Sequence, residues 1–377
     1  MTLHFPNAEF ERRAPESVGL DPDRLREAVD YAKVNDTPAE QVRFDLANRE
    51  RYDESEDEHG EIIGPMPDRR GGANGLVLKD GHAVAEWGDT TRTDHAFSVT
   101  KSALSLVAGV AHDRGLFDID DPVAETVDDG GFDSPQNAPI TWEHLLQGTS
   151  EWEGTLFDKP DSVDRNRAVG KDASDVGEHG VRELRDPGTY WEYNDVRINR
   201  LALSLLRVLG EPLPQVLRES VMDPIGASGN WEWHGYRNSS VEVDGRPIES
   251  VSGGGHWGGG LWIPTRDLAR IGLLALARGR WGDERLVSEA WMEASTTPCP
   301  IKPTYGYLWW LNTDRELWPS APESSFAAIG HGHNVLWVDP EHDLVAVVRW
   351  LRDHEGEPRA DYPVMDGFFE RLLDAVE

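Results

Sequence analysis

One cysteine, Cys299, stands in 377 residues. That excludes an intrachain disulfide and a cysteine-rich zinc site. Long apolar runs are missing as well: none approaches the roughly 20 residues that a membrane span needs. The start, Met1-Thr2-Leu3-His4-Phe5-Pro6, lacks the apolar core of a signal peptide. Arg12-Arg13 is followed by Ala14-Pro15-Glu16, not by an apolar stretch. The expected location is therefore cytoplasmic. Positive charge is scarce: 37 Lys+Arg face 69 Asp+Glu, a formal net charge of −32. Such a surface repels phosphate backbones and excludes general nucleic-acid binding. Hydrophobic residues still make up 38 %, enough for a sizeable core. The length suits one large domain or two intertwined ones.

Lysine is the scarcer base, six of the 37. Acid excess, few lysines and few large aliphatics resemble the composition of proteins from salt-accumulating halophiles. Dense carboxylates hold water and cations at a surface, and molar salt screens their repulsion over about 3 Å.

Periodicity places helices at 21–34, with Asp21 as N-cap, and at 97–114, closed by Gly115. A short helix follows Thr141, another spans 197–210, and one closes the chain at 366–376. Between them, Asp80-Gly81 separates two β-branched runs and reads as a hairpin turn. Strands are expected again at 307–311, 335–338 and 344–350. The segment 35–72 reads as irregular, and its acidic run Asp53-Glu54-Ser55-Glu56-Asp57-Glu58 as a solvated loop. From about 118 to 245 the chain reads as helices and loops. The expected fold is α+β: an antiparallel β-sheet built from N- and C-terminal segments, flanked by helices. Residues 1–117 and 246–377 would form that α/β domain and 118–245 an inserted helical one.

Several chemistries lack their motifs. There is no Gly-x-Ser-x-Gly elbow and no His-Glu-x-x-His. The glycine-rich run Gly253-Gly254-Gly255-His256-Trp257-Gly258-Gly259-Gly260 has no Gly-Lys-Ser/Thr after it. It suits close backbone packing or a pocket wall better than a phosphate loop. His331-Gly332-His333 lacks the supporting ligands of a metal site, so no metal and no organic cofactor are expected. What is present is Ser98-Val99-Thr100-Lys101 at the start of a predicted helix. Residues three apart share a helix face, so Lys101 can reach the Ser98 hydroxyl. A desolvated amine can be neutral enough to act as a base.

Further segments join this one: Pro187-Gly188-Thr189-Tyr190-Trp191-Glu192-Tyr193-Asn194-Asp195, Gly259-Gly260-Leu261-Trp262 and Phe326-Ala327-Ala328-Ile329-Gly330-His331. With the Asp-Gly hairpin, they make the sequence from about residue 76 onward resemble the β-lactamase-related serine hydrolases. Class C β-lactamases, D-alanyl-D-alanine peptidases, esterases and 6-aminohexanoate-dimer hydrolases belong to that family. Gly71-Gly72-Ala73-Asn74-Gly75 and Trp87-Gly88-Asp89 look most like the last branch. The resemblance implies a β-lactamase/penicillin-binding-protein-like fold, Ser98 as nucleophile, Lys101 as its partner and Tyr193 as the proton-shuttling tyrosine of a Tyr-x-Asn motif.

Two departures stand out. The motif's asparagine falls on Asp195, whose carboxylate could pair with Lys101 and make Tyr193 the base; alternatively Asn194 supplies the amide. The family's third motif, Lys-Thr-Gly or His-x-Gly, aligns without gaps on Ala328-Ile329-Gly330. The cation is then missing, and the backbone N–H of His331 joins that of Ser98 as the oxyanion hole. The rival alignment puts His331 itself in the cationic position. Trp152 and Trp257, with Trp191 and Trp309, fall in segments that should border the cleft. The reading is a serine hydrolase acting through an acyl-enzyme on a small neutral ester or amide. Its alternatives are a β-lactamase or D-Ala peptidase, and a catalytically silent member that binds a ligand or partner. The expected partner is a small-molecule substrate, with neither nucleic acid nor membrane; oligomeric state is left open.

Overall fold

The structure, a computed structural model, describes residues 3–37, 61–66, 69–165, 182–352 and 362–377. The acidic run 53–58 lies outside them. Helix α1 (Pro22–Val34) starts where the carboxylate of Asp21 accepts the backbone N–H groups of Asp23 and Arg24 at 2.8 and 3.0 Å. Strands β1 (Asn74–Lys79) and β2 (His82–Trp87) meet across Asp80 and Gly81. Both turn residues have left-handed φ, 53° and 84°, as a two-residue hairpin turn demands.

The chain then runs through β3 (Thr93–His95), a 3₁₀ turn (Phe97–Val99) and α2 (Thr100–Asp113). Next come α3 (Trp142–Gln147), capped by Thr141, and α4 (Asp195–Leu209), ended by left-handed Gly210. Strands β4 (Glu232–Val243), β5 (Arg246–Val251) and β6 (Gly260–Pro264) precede α5 (Thr265–Leu276). The C-terminal part supplies β7 (Trp310–Leu311), β8 (Phe326–Gly330), β9 (Asn334–Asp339), β10 (Leu344–Arg349) and α6 (Pro363–Leu373). One expectation needs correcting. The 118–245 segment, read as helices and loops, ends in the 12-residue strand β4. Its alternating pattern is interrupted by a bulge between Gly235 and Ser240, which hides the strand in the sequence.

The main sheet is antiparallel throughout, in the order β7-β8-β9-β10-β1-β2. Strands from the two ends of the chain therefore meet at its centre, with Val77 opposite Ala346. Helices cover both faces, and neighbouring residues of β9 show it, because successive side chains point to opposite sides. Leu336 meets α5, where a Cβ on Gly272 would come within 2.6 Å of it. Trp337 stacks on Phe369 of α6, ring centroids 4.5 Å apart. A smaller sheet, β3-β6-β4-β5, lies beside it. No helix among the described residues is long and apolar enough to cross a membrane.

Arg349 joins the two sheets. Its side chain, 2 % exposed, donates to the carbonyls of His95 and Ile263 and to the Thr265 hydroxyl, at 3.3, 2.5 and 3.3 Å. Burial pulls its pKa down to about 10, against the opposing pull of Asp94. A fork of donors serving several buried acceptors has no neutral substitute. Arg349→Ala should lower the unfolding free energy by about 3 kcal/mol or more. Arg349→Lys should recover only part of the loss, since an ammonium cannot span the same acceptors. Chemical denaturation in molar KCl measures both.

Candidate active site

Ser98 sits on a turn that the surrounding residues force into shape. Phe97, just before it, has φ 49°, a conformation costly for an aromatic residue. Buried His95 holds that turn from one side: its Nδ1 accepts the Phe97 N–H at 3.1 Å, while Nε2 faces the Gly259 carbonyl at 3.0 Å. Those two bonds require the tautomer protonated on Nε2. Thr100 closes the turn, its hydroxyl donating to Phe97 O at 2.6 Å and accepting the Leu261 N–H at 2.9 Å. From the other side the glycine-rich run presses so close that a Cβ at position 255 would lie 2.2 Å from Phe97 O. Gly255 has φ 70°, so both space and conformation demand glycine.

Lys101 lies one helical turn below Ser98 and is 2 % exposed. Its Nζ donates to Ser98 Oγ at 2.9 Å, to Asp195 Oδ1 at 2.5 Å and to the Gly254 carbonyl at 2.6 Å. Three acceptors match the three N–H groups of an ammonium. The charge also lies over the Tyr193 ring, 4.5 Å from its centroid. Burial drives the Lys101 pKa down; the Asp195 carboxylate and then Tyr193 oppose it and leave it above the ordinary lysine value. Lys101 is thus held as a cation.

Asp195 is set by the start of α4. Its backbone N–H donates to Asp164 Oδ2 at 2.8 Å, and its Oδ2 lies 3.2 Å from His256 Nδ1. Asn194 is the N-cap: Oδ1 accepts the Arg197 N–H at 3.2 Å and Nδ2 donates to Asp161 O at 2.8 Å. Both ends of that amide are committed away from Ser98, so Asn194 positions the helix and Asp195 alone faces Lys101. Behind them Arg197 bonds the fully buried Glu151 at 2.7 Å and Glu192 at 3.1 Å. Asn199, one turn into α4, accepts the N–H groups of Gly253 and Gly254 at 3.0 and 3.2 Å. That fixes the carbonyl that Lys101 uses.

The third-motif segment lies on β8. Gly330 ends the strand against the Ser98 turn, where a Cβ would meet Ala96 O at 2.3 Å. His331, Gly332 and His333 form the β8–β9 turn, with φ 69° at Gly332 and 47° at His333. The His331 ring packs edge-on against Phe97, centroids 5.3 Å apart. Ala328 lies within β8 and carries no charge, while His331 lies in the turn beside Phe97.

The tryptophans divide. Trp191 and Trp310 form an aromatic wall with Tyr193 and Tyr305; Trp310 stacks on Tyr193 at 5.8 Å. Trp309, its neighbour, is fully buried against Phe326. Trp152 is buried and donates to Gly131 O at 2.7 Å, and its carbonyl accepts from Arg197. Trp257 is buried with its indole against His256, centroids 4.3 Å apart. His95, Asn199, His256, Tyr305 and Trp310 were given no site role from the sequence. A lone histidine or asparagine carries no local signal, and the choice between Trp309 and Trp310 depends on strand phase.

Among the described residues two groups have metal-like spacing. Asp164, Asp195 and His256 place donor atoms within 4.8 Å of one another, but the Lys101 ammonium already neutralises Asp195. His4, Glu11 and His82 form the other, and there the imidazoles stack at 4.4 Å and 16°. Parallel ring planes cannot both contain one ion.

The family profile described as Beta-lactamase matches residues 61–366. A relative named 6-aminohexanoate-dimer hydrolase, from Paenarthrobacter ureafaciens, is 26 % identical over 343 residues, 80 % of this chain and 78 % of its own. Among solved structures, a beta-lactamase from Mycobacterium bovis superposes with TM-score 0.55 at 21 % identity, covering 81 % of this chain and 95 % of its own. A penicillin-binding protein homolog from Caulobacter crescentus reaches 0.58 at 15 % identity, covering 95 % and 99 %.

His95 makes the turn sensitive to pH. Burial pushes its pKa down to about 3. An unfolded imidazole takes a proton near pH 6.5, so stability from this group is complete above about 6.5 and falls as pH drops towards 3. Its slope is up to about 1.4 kcal/mol per pH unit. Urea titrations from pH 7 to 4 should show this slope in wild type and lose that share of it in His95→Gln.

Proposed function

The chain belongs to the Beta-lactamase family of serine hydrolases, and on that footing we propose that it hydrolyses a small neutral ester or amide through an acyl-enzyme on Ser98. The observation that carries the reading is the buried cluster in which Lys101 joins Ser98 Oγ at 2.9 Å to Asp195 at 2.5 Å. A helix-borne serine hydrogen-bonded to a buried cation is a poised nucleophile.

Ser98 Oγ attacks the carbonyl carbon, and its proton is taken up at Tyr193 beside the Lys101 ammonium. The backbone N–H groups of Ser98 and His331 are assigned to the oxyanion. The tetrahedral centre collapses, the bond to the alcohol or amine breaks, and Tyr193 returns the proton to that leaving group. Water then attacks the acyl-Ser98 by the same proton route, releasing the acid and restoring Ser98. Lys101 stays charged throughout, orienting Ser98 and Tyr193.

Substrate neutrality follows from two features. The gap-free alignment puts Ala328 in the place of the family's third-motif cation, which would leave a substrate carboxylate without that partner, and the chain's net charge is −32. Charge of that density also supports work in molar salt, as in the cytoplasm of a salt-accumulating cell, where screening removes most long-range repulsion. The 6-aminohexanoate-dimer hydrolase relative supports a linear amide as one candidate.

The test is intact mass after fluorophosphonate treatment in molar KCl. One adduct is expected on wild type and none on Ser98→Ala. Lys101→Ala and Tyr193→Phe should slow labelling by about 100-fold or more. Short neutral esters and linear amides should turn over faster than nitrocefin. Nitrocefin turnover equal to the best ester would move the assignment to a β-lactamase or D-Ala peptidase. A folded wild type that takes no label would leave only the ligand-binding reading.

A further inference from the structure

Asp195 has two oxygens with two different basic neighbours. Oδ1 takes the Lys101 ammonium at 2.5 Å, and Oδ2 lies 3.2 Å from His256 Nδ1. Unlike Lys101 and Asp195, which are 3 % and 1 % exposed at the side chain, His256 is 21 % exposed. It therefore bridges solvent and the buried pair. Its place is fixed: the ring stacks on Trp257, and its carbonyl accepts the Tyr236 hydroxyl at 3.1 Å.

Resting on the hydrolase reading above, we propose that His256 is a positioning residue that couples the Lys101–Asp195 pair to bulk pH and sets the acid limit of activity. Histidine is the side chain that ordinarily changes charge between about pH 5 and 8. With the imidazole neutral, the Asp195 charge serves Lys101 alone. Protonated, His256 competes for the same carboxylate and adds a second cation to a site that must accept the Ser98 proton.

The charged and titratable groups facing His256 are few. Asp195 and Asp164 approach from the α4 start and the loop before it, and Lys101 from α2. His95 lies on β3, and burial keeps it neutral down to about pH 3. Tyr236 on β4 has its pKa driven up by burial. Lys159 sits over the Trp257 ring at 5.3 Å, on the far partner of the stack. Among these described groups, only Asp195 combines full burial with contact to both His256 and the nucleophile's lysine.

Second-order rates of fluorophosphonate labelling at Ser98, measured from pH 4.5 to 9 in molar KCl, test the idea without knowledge of the substrate. Wild type should lose reactivity on the acid side, and His256→Gln should move that inflection down by at least one pH unit. His256→Asn, also neutral, is the second variant should the first not fold. A purely structural role would lower the rate equally at every pH, and superimposable wild-type and variant profiles would overturn the proposal. Wild type that labels at no pH overturns the hydrolase reading and this proposal with it. Reciprocity supplies an independent readout. The His256 ring resonance should titrate at lower pH in Asp195→Asn than in wild type, and an unchanged midpoint counts against the coupling.

Discussion

A buried ammonium is the constraint around which this protein is arranged. Taking the Lys101 charge out of water costs several kcal/mol unless a carboxylate and further acceptors replace the lost hydration. Asp195 and Gly254 O do so, and each sets its own requirement. The carboxylate must project from the first residue of α4, so Asn194 caps the helix and Arg197 ties it to buried Glu151 and Glu192. The carbonyl must point at α2, so Asn199 grips the two preceding amides. Position 254 must lack a side chain, because a Cβ there would stand 2.5 Å from Asp195 Oδ1.

The same logic explains where the few lysines go. Of the six, Lys79, Lys101 and Lys159 are buried at 9 %, 2 % and 4 % exposure. Each has an interior acceptor: Asp80 for Lys79, Asp195 for Lys101 and Glu61 O for Lys159. Arginine handles most other internal pairing, where its planar fork meets several acceptors at once, as at Arg197 and Arg349. Half of the lysines thus serve buried positions, while acidic residues dominate the chain's total.

The carboxylate at position 195 sets the character of the site. Burial drives the Lys101 pKa down, and the Asp195 carboxylate is the largest influence opposing it. In the proposed mechanism the lysine orients and stabilises while Tyr193 carries the proton. The strand that ends beside Ser98, Phe326–Gly330, brings no cation of its own.

Local patterns in the chain were enough for the hairpin at Asp80–Gly81, the helix caps at Asp21, Thr141 and Gly210, and the Ser98–Lys101 spacing. Each of these depends on residues within a few positions of one another, where sterics and hydrogen bonding are set by the chain itself. Strand β4 was not legible, because a bulge breaks its alternation. Nor could the chain alone show that Asp195, and not Asn194, faces Lys101; one residue of helix phase turns a side chain by about 100°. The roles of His95, Asn199 and His256, the choice of Trp310 over Trp309, and the placement of Ala328 on the strand with His331 in the turn were likewise decided by tertiary structure. All involve partners tens to hundreds of residues apart, and only the closing of the two sheets around Ser98 brings those partners within hydrogen-bonding distance.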